Sequence, residues 1–379
     1  MKNVLIIMST NIFSGAEKVL ADYLQNNIAH NFYIYTSTID TPMLDKIENQ
    51  NKNIHIFKDS SMRVISIRKN PILSSFSILY NLMRIHRLVK KYHINLLYGN
   101  NTVDMIYAML YKKLFNHRIA SICHIHDIIQ RNMYHKLIQK FTPLVNAFIT
   151  PSKAGKNSFV KDVDCPEKIY VIHNGCNMNQ ICRLESTELA VNSDGAKTLI
   201  FVGQICKRKR PDLFINIIKE LNEIRSGKYK GIIVGGIIED DKEYVATFRD
   251  AIKHNKDIIQ YKGQVSAQVL YGTCYFHADA FVLTSDRDPL PTVILEAMSL
   301  GIPVFARNVD GVPEMIDNGI TGFSWNYHAS VNNIVDFIDK SFQDSKKFLV
   351  IKKNAKNKLL SDFSMEWKNK KINELIDSL

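Results

Sequence analysis

Long apolar runs are missing from this chain: 46% of its residues are hydrophobic, yet no uninterrupted stretch nears the ~18 residues that cross a bilayer as a helix. The apolar run at 4–8 is too short for the core of a leader and no cleavage-like segment follows it, so it is expected as a buried first strand. Cysteine is sparse and scattered. Cys123, Cys165, Cys176, Cys182, Cys206 and Cys274 include no Cys-x-x-Cys pair, which argues against a disulfide framework or a zinc site and fits a reducing cytoplasm. Acidic residues are also outnumbered, 37 against 49 lysines and arginines, for a formal charge of +12. That balance suits nucleic acid, an anionic membrane surface or a phosphorylated substrate. Nucleic acid is the weakest of the three, because no binding motif has its expected spacing and no aromatic and basic residues interleave.

What is present is an alternation of short apolar runs and helical periods. At 379 residues the chain is long enough for two domains of ordinary size. Strands are read at 4–8, 32–36, 54–57, 95–98, 118–125, 147–150 and 169–172, then at 198–202, 231–236, 258–261 and 280–283, with helices between them. The alternation predicts parallel, doubly wound sheets. The polar, acidic stretch 183–197 has no apolar period and reads as a linker between domains at 1–182 and 198–360, with a closing helix at 361–379.

The rest is organised around 280–301, AFVLTSDRDPLPTVILEAMSLG. A buried strand is expected to lead through a Ser-Asp-Arg-Asp-Pro turn into a helix with Pro291 at its first position, ended by Gly301 and Pro303. Ligands of parallel sheets sit beyond the carboxyl ends of the strands, where helix N-termini offer free N–H groups to anions. Asp288 would lie in that turn, Thr292 and Val293 would offer amides, and Glu296 would sit about a turn into the helix. Such a site suits a diphosphate flanked by hydroxyl-rich groups, because carboxylates accept paired hydrogen bonds from vicinal hydroxyls.

Asp288, seven intervening residues, Glu296-Ala297-Met298 and Gly301-Ile302-Pro303-Val304 resemble the acidic signature of the retaining family 4 glycosyltransferases. The resemblance implies an α/β chain of the GT-B fold: two doubly wound Rossmann-like domains with a cleft between them and a C-terminal helix crossing back to the first. It assigns Asp288 to the transferred sugar and Glu296 to the nucleotide ribose. The first acid is Asp instead of the usual Glu, and Pro289 and Pro291 stand where glycines are usual. Because Pro291 lacks an N–H, one phosphate or sugar contact common in the family is either missing or supplied by a neighbour.

Other segments resemble the family too. Ser14-Gly15-Ala16-Glu17 fits a capping box and resembles the glycine turn near the donor phosphates, with Gly15 on the second glycine. His126-Asp127 after the 118–125 strand resembles the His-Asp whose histidine contacts the transferred sugar; His124, two residues back on the same face, is the rival. His173-Asn174-Gly175 resembles the turn closing the first domain. Gly203 and Lys207-Arg208-Lys209-Arg210-Pro211 resemble the segment whose Arg and Lys neutralise the diphosphate. Lys209 takes the Lys position, Gln204 replaces the Arg, and either Arg208 or Arg210 supplies the missing cation. The implied catalytic residues are His126, Asp288 and Lys209. The implied donor-binding residues are Gly15, Gly203, Gln204, Arg208, Lys209, Leu290, Thr292, Val293 and Glu296.

By that resemblance the chain moves a hexose-type sugar from a nucleotide-sugar, a UDP-sugar favoured, to a glycan or lipid-linked acceptor, with retention and without metal or cofactor. Cell-surface polysaccharide assembly in the cytoplasm, at the inner membrane face, is the implied setting. The rival readings are a sugar-nucleotide epimerase of the same architecture and a non-catalytic basic protein that binds nucleic acid. Residues 76–92 bear on the membrane: Ile78, Leu82, Ile85, Val89 and Tyr92 recur at helical spacing while Arg84, Arg87 and Lys91 gather elsewhere. That pattern fits a helix on anionic lipid and, equally, an ordinary helix covering the first sheet.

Overall fold

Strands alternate with helices throughout the computed structural model, which describes residues 1–9, 15–25, 27–37, 42–60, 71–128, 139, 142–160, 163, 165–178, 181 and 195–379. Contacts divide the chain into two units. One comprises Met1–Asn174 and Met365–Leu379, the other Gly175–Ser364.

The first unit carries β1 (Asn3–Met8), β2 (Asn31–Thr36), β3 (Ile54–Lys58), β4 (Leu96–Gly99), β5 (Ala120–His124), β6 (Ala147–Thr150) and β7 (Ile169–Val171) in the order β3-β2-β1-β4-β5-β6-β7. Every pairing is parallel. Residue alternation along β1 shows why its sequence is continuously apolar. Val4, Ile6 and Met8 enter a core with the helices Gly15–Leu24 and Met365–Ser378, while Leu5 and Ile7 enter a second core with the helices Pro71–Lys91 and Thr102–Leu114. A strand buried on both faces has no polar side to show.

The second unit carries β8 (Lys197–Val202), β9 (Tyr229–Val234), β10 (Ile259–Tyr261), β11 (Ala280–Leu283), β12 (Val304–Arg307) and β13 (Phe323–Trp325) in the order β10-β9-β8-β11-β12-β13, again all parallel. Phe281 and Leu283 face the helix Thr292–Ser299, and Ala280 and Val282 face the helices Pro211–Ile224 and Val331–Phe342. In both sheets the winding reverses beside the first strand, between β1 and β4 and between β8 and β11. Those two reversals are the places where such sheets open to ligands.

The expected strands are present, with ends differing by one or two residues; β12 and β13 were not anticipated. The first unit ends earlier than 182, because Cys176 and Ile181 are buried with Phe281, Leu295 and Leu359 in the second unit's core. Residues 183–194 of the expected linker lie outside the described residues, and Lys197 already belongs to β8. The closing helix begins at Met365, where the first unit resumes.

Candidate functional site

At the reversal of the second sheet, β8 gives way to Gly203 and Gln204, and a single helical turn, Lys207–Lys209, follows. Arg210 then adopts φ 54°, a left-handed conformation that side chains rarely take, and Pro211 opens the next helix. The neighbouring strand holds this turn in place. The buried Thr284 hydroxyl at the end of β11 shares its proton between the carbonyls of Lys209 (3.1 Å) and Arg210 (2.8 Å), and the Asp286 N–H donates to the Arg208 carbonyl at 2.9 Å. From the other side Gly235 has φ 149°, and a Cβ there would lie 1.8 Å from the Gly203 carbonyl oxygen. Only glycine permits that approach.

The turn delivers Lys209 to Asp288: the ammonium and the carboxylate are in direct contact, with side chains only 16% and 8% exposed. Asp288 is fixed by its backbone, its N–H donating to Asp310 Oδ2 at 2.8 Å and its carbonyl accepting from Gly311 at 3.3 Å. Asp310 sits at φ 39°, and burial raises its carboxyl above the ordinary range.

The other cations divide by partner. Arg210 Nε donates to both oxygens of Asp212 (2.9 and 3.1 Å), and its Nη1 reaches Asp286 at 3.4 Å. Arg307 also pairs with Asp286, donates to the Tyr327 carbonyl at 2.7 Å and lies 4.0 Å from the centre of the Tyr327 ring. These two arginines brace the loop. Arg208 is exposed and donates to the Arg287 carbonyl at 3.0 Å; of the two candidates to replace the charge absent at Gln204, Arg210 is ion-paired with Asp212 and Asp286, and Arg208 makes no ion pair among the described residues.

Pro291 occupies the cap of the helix Thr292–Ser299, with ψ 105°, and not its first helical position. Thr292 and Val293 are therefore the first two helical residues, whose N–H groups have no acceptor within the helix. Leu290 is buried in the core, which leaves only its backbone to meet a ligand. Glu296 is the fifth helical residue and 5% exposed, close enough to Tyr275 to help burial push that hydroxyl's pKa upward. Gly301, at φ 67°, ends the helix as expected: the Ile302 N–H returns to the Ala297 carbonyl at 2.9 Å.

The first unit places Gly15 at the start of its helix and His126 beyond β5; Ser14 lies outside the described residues. His126 Nε2 meets Asn100 Oδ1 at 3.3 Å, its ring lies 3.9 Å from that of His124, and His124 Nδ1 meets the Tyr98 hydroxyl at 2.7 Å. The two histidines form one unit. Burial, helped by the nearby Lys368, depresses the His126 pKa to about 3, and burial depresses that of His124 strongly as well. Both rings are neutral at physiological pH and act through hydrogen bonds. Asp104, in the helix after β4, accepts from the Ser9 N–H at 2.7 Å and from the Ser9 hydroxyl at 2.5 Å, and burial raises its pKa to about 8.

Buried atoms at the carboxyl edge of this sheet lack hydrogen-bond partners among the described residues: Asn100 Nδ2, Asn101 Nδ2, Asp104 Oδ2, His124 Nε2 and Asn174 Oδ1. Buried polar groups are seldom left so. Asn100, Asn101 and Asp104 follow β4 at the sheet's reversal, His124 closes the neighbouring β5, and Asn174 follows β7 at the sheet's far edge.

Sequence reasoning did not find Thr284, Asp286, Asp310, Arg307 and Lys368. The first four support the Lys207–Lys209 turn and Asp288 from remote positions; Asp286 lies inside the Ser-Asp-Arg-Asp-Pro turn read from sequence, which was the signal that could have found it. Lys368 gives no signal because it sits on a charged helix, yet it is 1% exposed and donates to the Val19 carbonyl at 2.9 Å.

Two family models match the chain: Glycosyltransferase Family 4 over residues 18–180 and Glycosyl transferases group 1 over residues 187–358. Among curated relatives, an uncharacterised 41.2 kDa protein in the cps region of Klebsiella pneumoniae is 25% identical over 280 residues, 63% of this chain and 74% of that protein. The Escherichia coli UDP-Gal:alpha-D-GlcNAc-diphosphoundecaprenol alpha-1,3-galactosyltransferase is 27% identical over 221 residues, covering 55% of this chain and only 54% of that enzyme. Among solved structures, Anabaena HepE in complex with UDP and glucose superimposes with a TM-score of 0.80 at 19% identity, over 100% of both chains.

Proposed function

Because the chain belongs to the family 4 glycosyltransferases of GT-B type, we propose that it is a retaining enzyme carrying a hexose-type sugar from a nucleotide-sugar to a glycan or lipid-linked acceptor. The observation that carries this reading is the Lys209–Asp288 contact at the reversal of the second sheet, beside the open amides of Thr292 and Val293. A cation and a helix N-terminus together suit a diphosphate. A UDP-sugar is the favoured donor: HepE was crystallised with UDP and glucose, and the E. coli relative is named for a UDP-Gal donor. That relative's lipid-diphosphate acceptor, together with the cps-region protein, supports a role in cell-surface polysaccharide assembly in the cytoplasm, at the inner membrane face.

In this reading Glu296 accepts both ribose hydroxyls, Lys209 and Arg208 face the diphosphate, and Asp288 faces the transferred sugar. As the bond from sugar to diphosphate opens, negative charge grows on the departing oxygen. Lys209 stabilises it from a fixed position, the kind of preorganised term that dominates such barriers. Since side-chain cations and amides do this work, no metal is assigned a role and chelation is expected to leave turnover unchanged. His126, uncharged, donates to or accepts from a sugar hydroxyl in the way resemblance implies.

The test is a panel of nucleotide-sugars scored by thermal shift, followed by transfer to lipid-diphosphate and free glycan acceptors with product anomers read by NMR. The donor must raise the unfolding midpoint. Epimerised donor without transfer would establish the rival epimerase, and inverted product would refute retention.

A further inference from the structure

The helix Pro71–Lys91 settles which of its faces is available. Leu82, Ile85 and Val89, read from sequence equally as a stripe on lipid or as one covering the first sheet, are buried in the first unit. Buried Asn81 pins the orientation, accepting from the Tyr35 hydroxyl at 3.1 Å and donating to the Tyr107 hydroxyl at 3.2 Å. The helix therefore cannot roll. Arg84, one of the three cations expected to meet lipid, is engaged by Asp59 at 3.2 Å.

A different stripe faces outward. Phe76, Leu79, Tyr80 and Met83 are 69%, 52%, 47% and 41% exposed, at the i, i+3, i+4, i+7 spacing of one helix face. Along the same face, the last turns present exposed Arg87, Lys90 and Lys91. Apolar and cationic residues are thus separated along the axis, not around it.

We propose that this face docks on an anionic lipid bilayer, with Phe76, Leu79 and Met83 entering the acyl boundary and Arg87, Lys90 and Lys91 held at the phosphates. Interfacial helices lie along the membrane with one such apolar face sunk about 5–10 Å into the boundary of headgroups and acyl chains. Phe76, Leu79 and Met83 supply apolar contact, while Tyr80 suits the headgroup boundary. The cationic half selects the occupant: a second copy of this strongly basic chain would repel it, whereas anionic headgroups attract it by about fivefold per cation. Docking does not depend on the donor assignment.

Flotation of the full chain with vesicles of equal parts phosphatidylglycerol and phosphatidylcholine, against phosphatidylcholine alone, tests it. Wild type is expected to float with the anionic vesicles and to be released by high salt. Phe76→Ser with Leu79→Ser should weaken binding about tenfold or more, and Arg87→Glu with Lys90→Glu should remove the preference for phosphatidylglycerol. Circular dichroism, melting and turnover on a water-soluble acceptor should be unchanged in both. Failure of the wild type to float, or flotation of either variant like wild type, overturns the proposal. So does light scattering that shows a dimer dissolved by the Phe76 and Leu79 changes.

Discussion

Replacing Lys209 by Met keeps the length of the side chain and removes its charge, which isolates what the Lys209–Asp288 contact does. Asp288 would then keep a carboxylate that is 8% exposed beside no ammonium. Breaking a buried pair from one side costs about 3–5 kcal/mol, and because Lys209 is 16% exposed and partly hydrated we take the lower end, about 3 kcal/mol of stability. Asp288→Asn alone strands the lysine, which can reach water and so should cost less, about 1 kcal/mol. The double variant removes both charges, and a coupling of about 2 kcal/mol is expected between the sites in urea denaturation. Turnover behaves differently. If Lys209 stabilises the departing diphosphate, its loss lowers kcat by about a hundredfold to a thousandfold, and Asp288→Asn does not restore it. Stability coupling with kcat within about threefold of wild type in Lys209→Met would reduce the lysine to a structural ion-pair partner and refute its catalytic role.

Glu296→Ala should weaken nucleotide-sugar binding by about tenfold to a hundredfold, as loss of hydrogen bonds to a charged group does, with little change in unfolding midpoint; unaltered binding in calorimetry would remove Glu296 from the ribose. Asp104 gives a pH signature. Its folded pKa of about 8 lies above the ordinary 3.8, so its proton is held only by the folded chain between those values, and the associated stability is full at low pH and lost as pH rises toward about 8. Asp104→Asn should therefore gain on wild type steadily from about pH 4 to about pH 8 and level off above; a flat difference would contradict the burial argument. Gly235→Ala meets the Gly203 carbonyl and should cost more than about 3 kcal/mol, whereas Gly301→Ala, with open space around its φ of 67°, should cost about 1 kcal/mol in thermal unfolding.

Continuous apolar strands were legible because burial on both faces leaves a run such as Val4–Ile7 no polar position. Short strands were not: β12 and β13 hold four and three residues and lie within turn-rich stretches that masked them. The acidic signature and the basic run were legible as local patterns, and the Lys209–Asp288 contact joins them across 79 positions. Pro291 was misplaced by one residue, since proline's fixed φ suits a cap with extended ψ as well as a first helical turn. For residues 76–92 the period left a helix on lipid and a helix covering the first sheet equally open, and the burial of Leu82, Ile85 and Val89 bears out the second for that stripe. Periodicity reveals that a helix has an apolar face, but here there are two, and only the hydrogen bonds of Asn81 decide which one is inside.

The first unit is assembled from both ends of the chain. Its cover over Leu20, Tyr23 and Leu24, supplied by Ile372, Leu375 and Ile376, is synthesised only after all of 175–364 has been made. During translation that greasy seat stays bare, and the lysine that stands beside the paired imidazoles has not yet emerged from the ribosome. A nascent chain stalled before residue 365 would therefore lack both the apolar cover of that first helix and the cation that adds to what burial does to the two histidines.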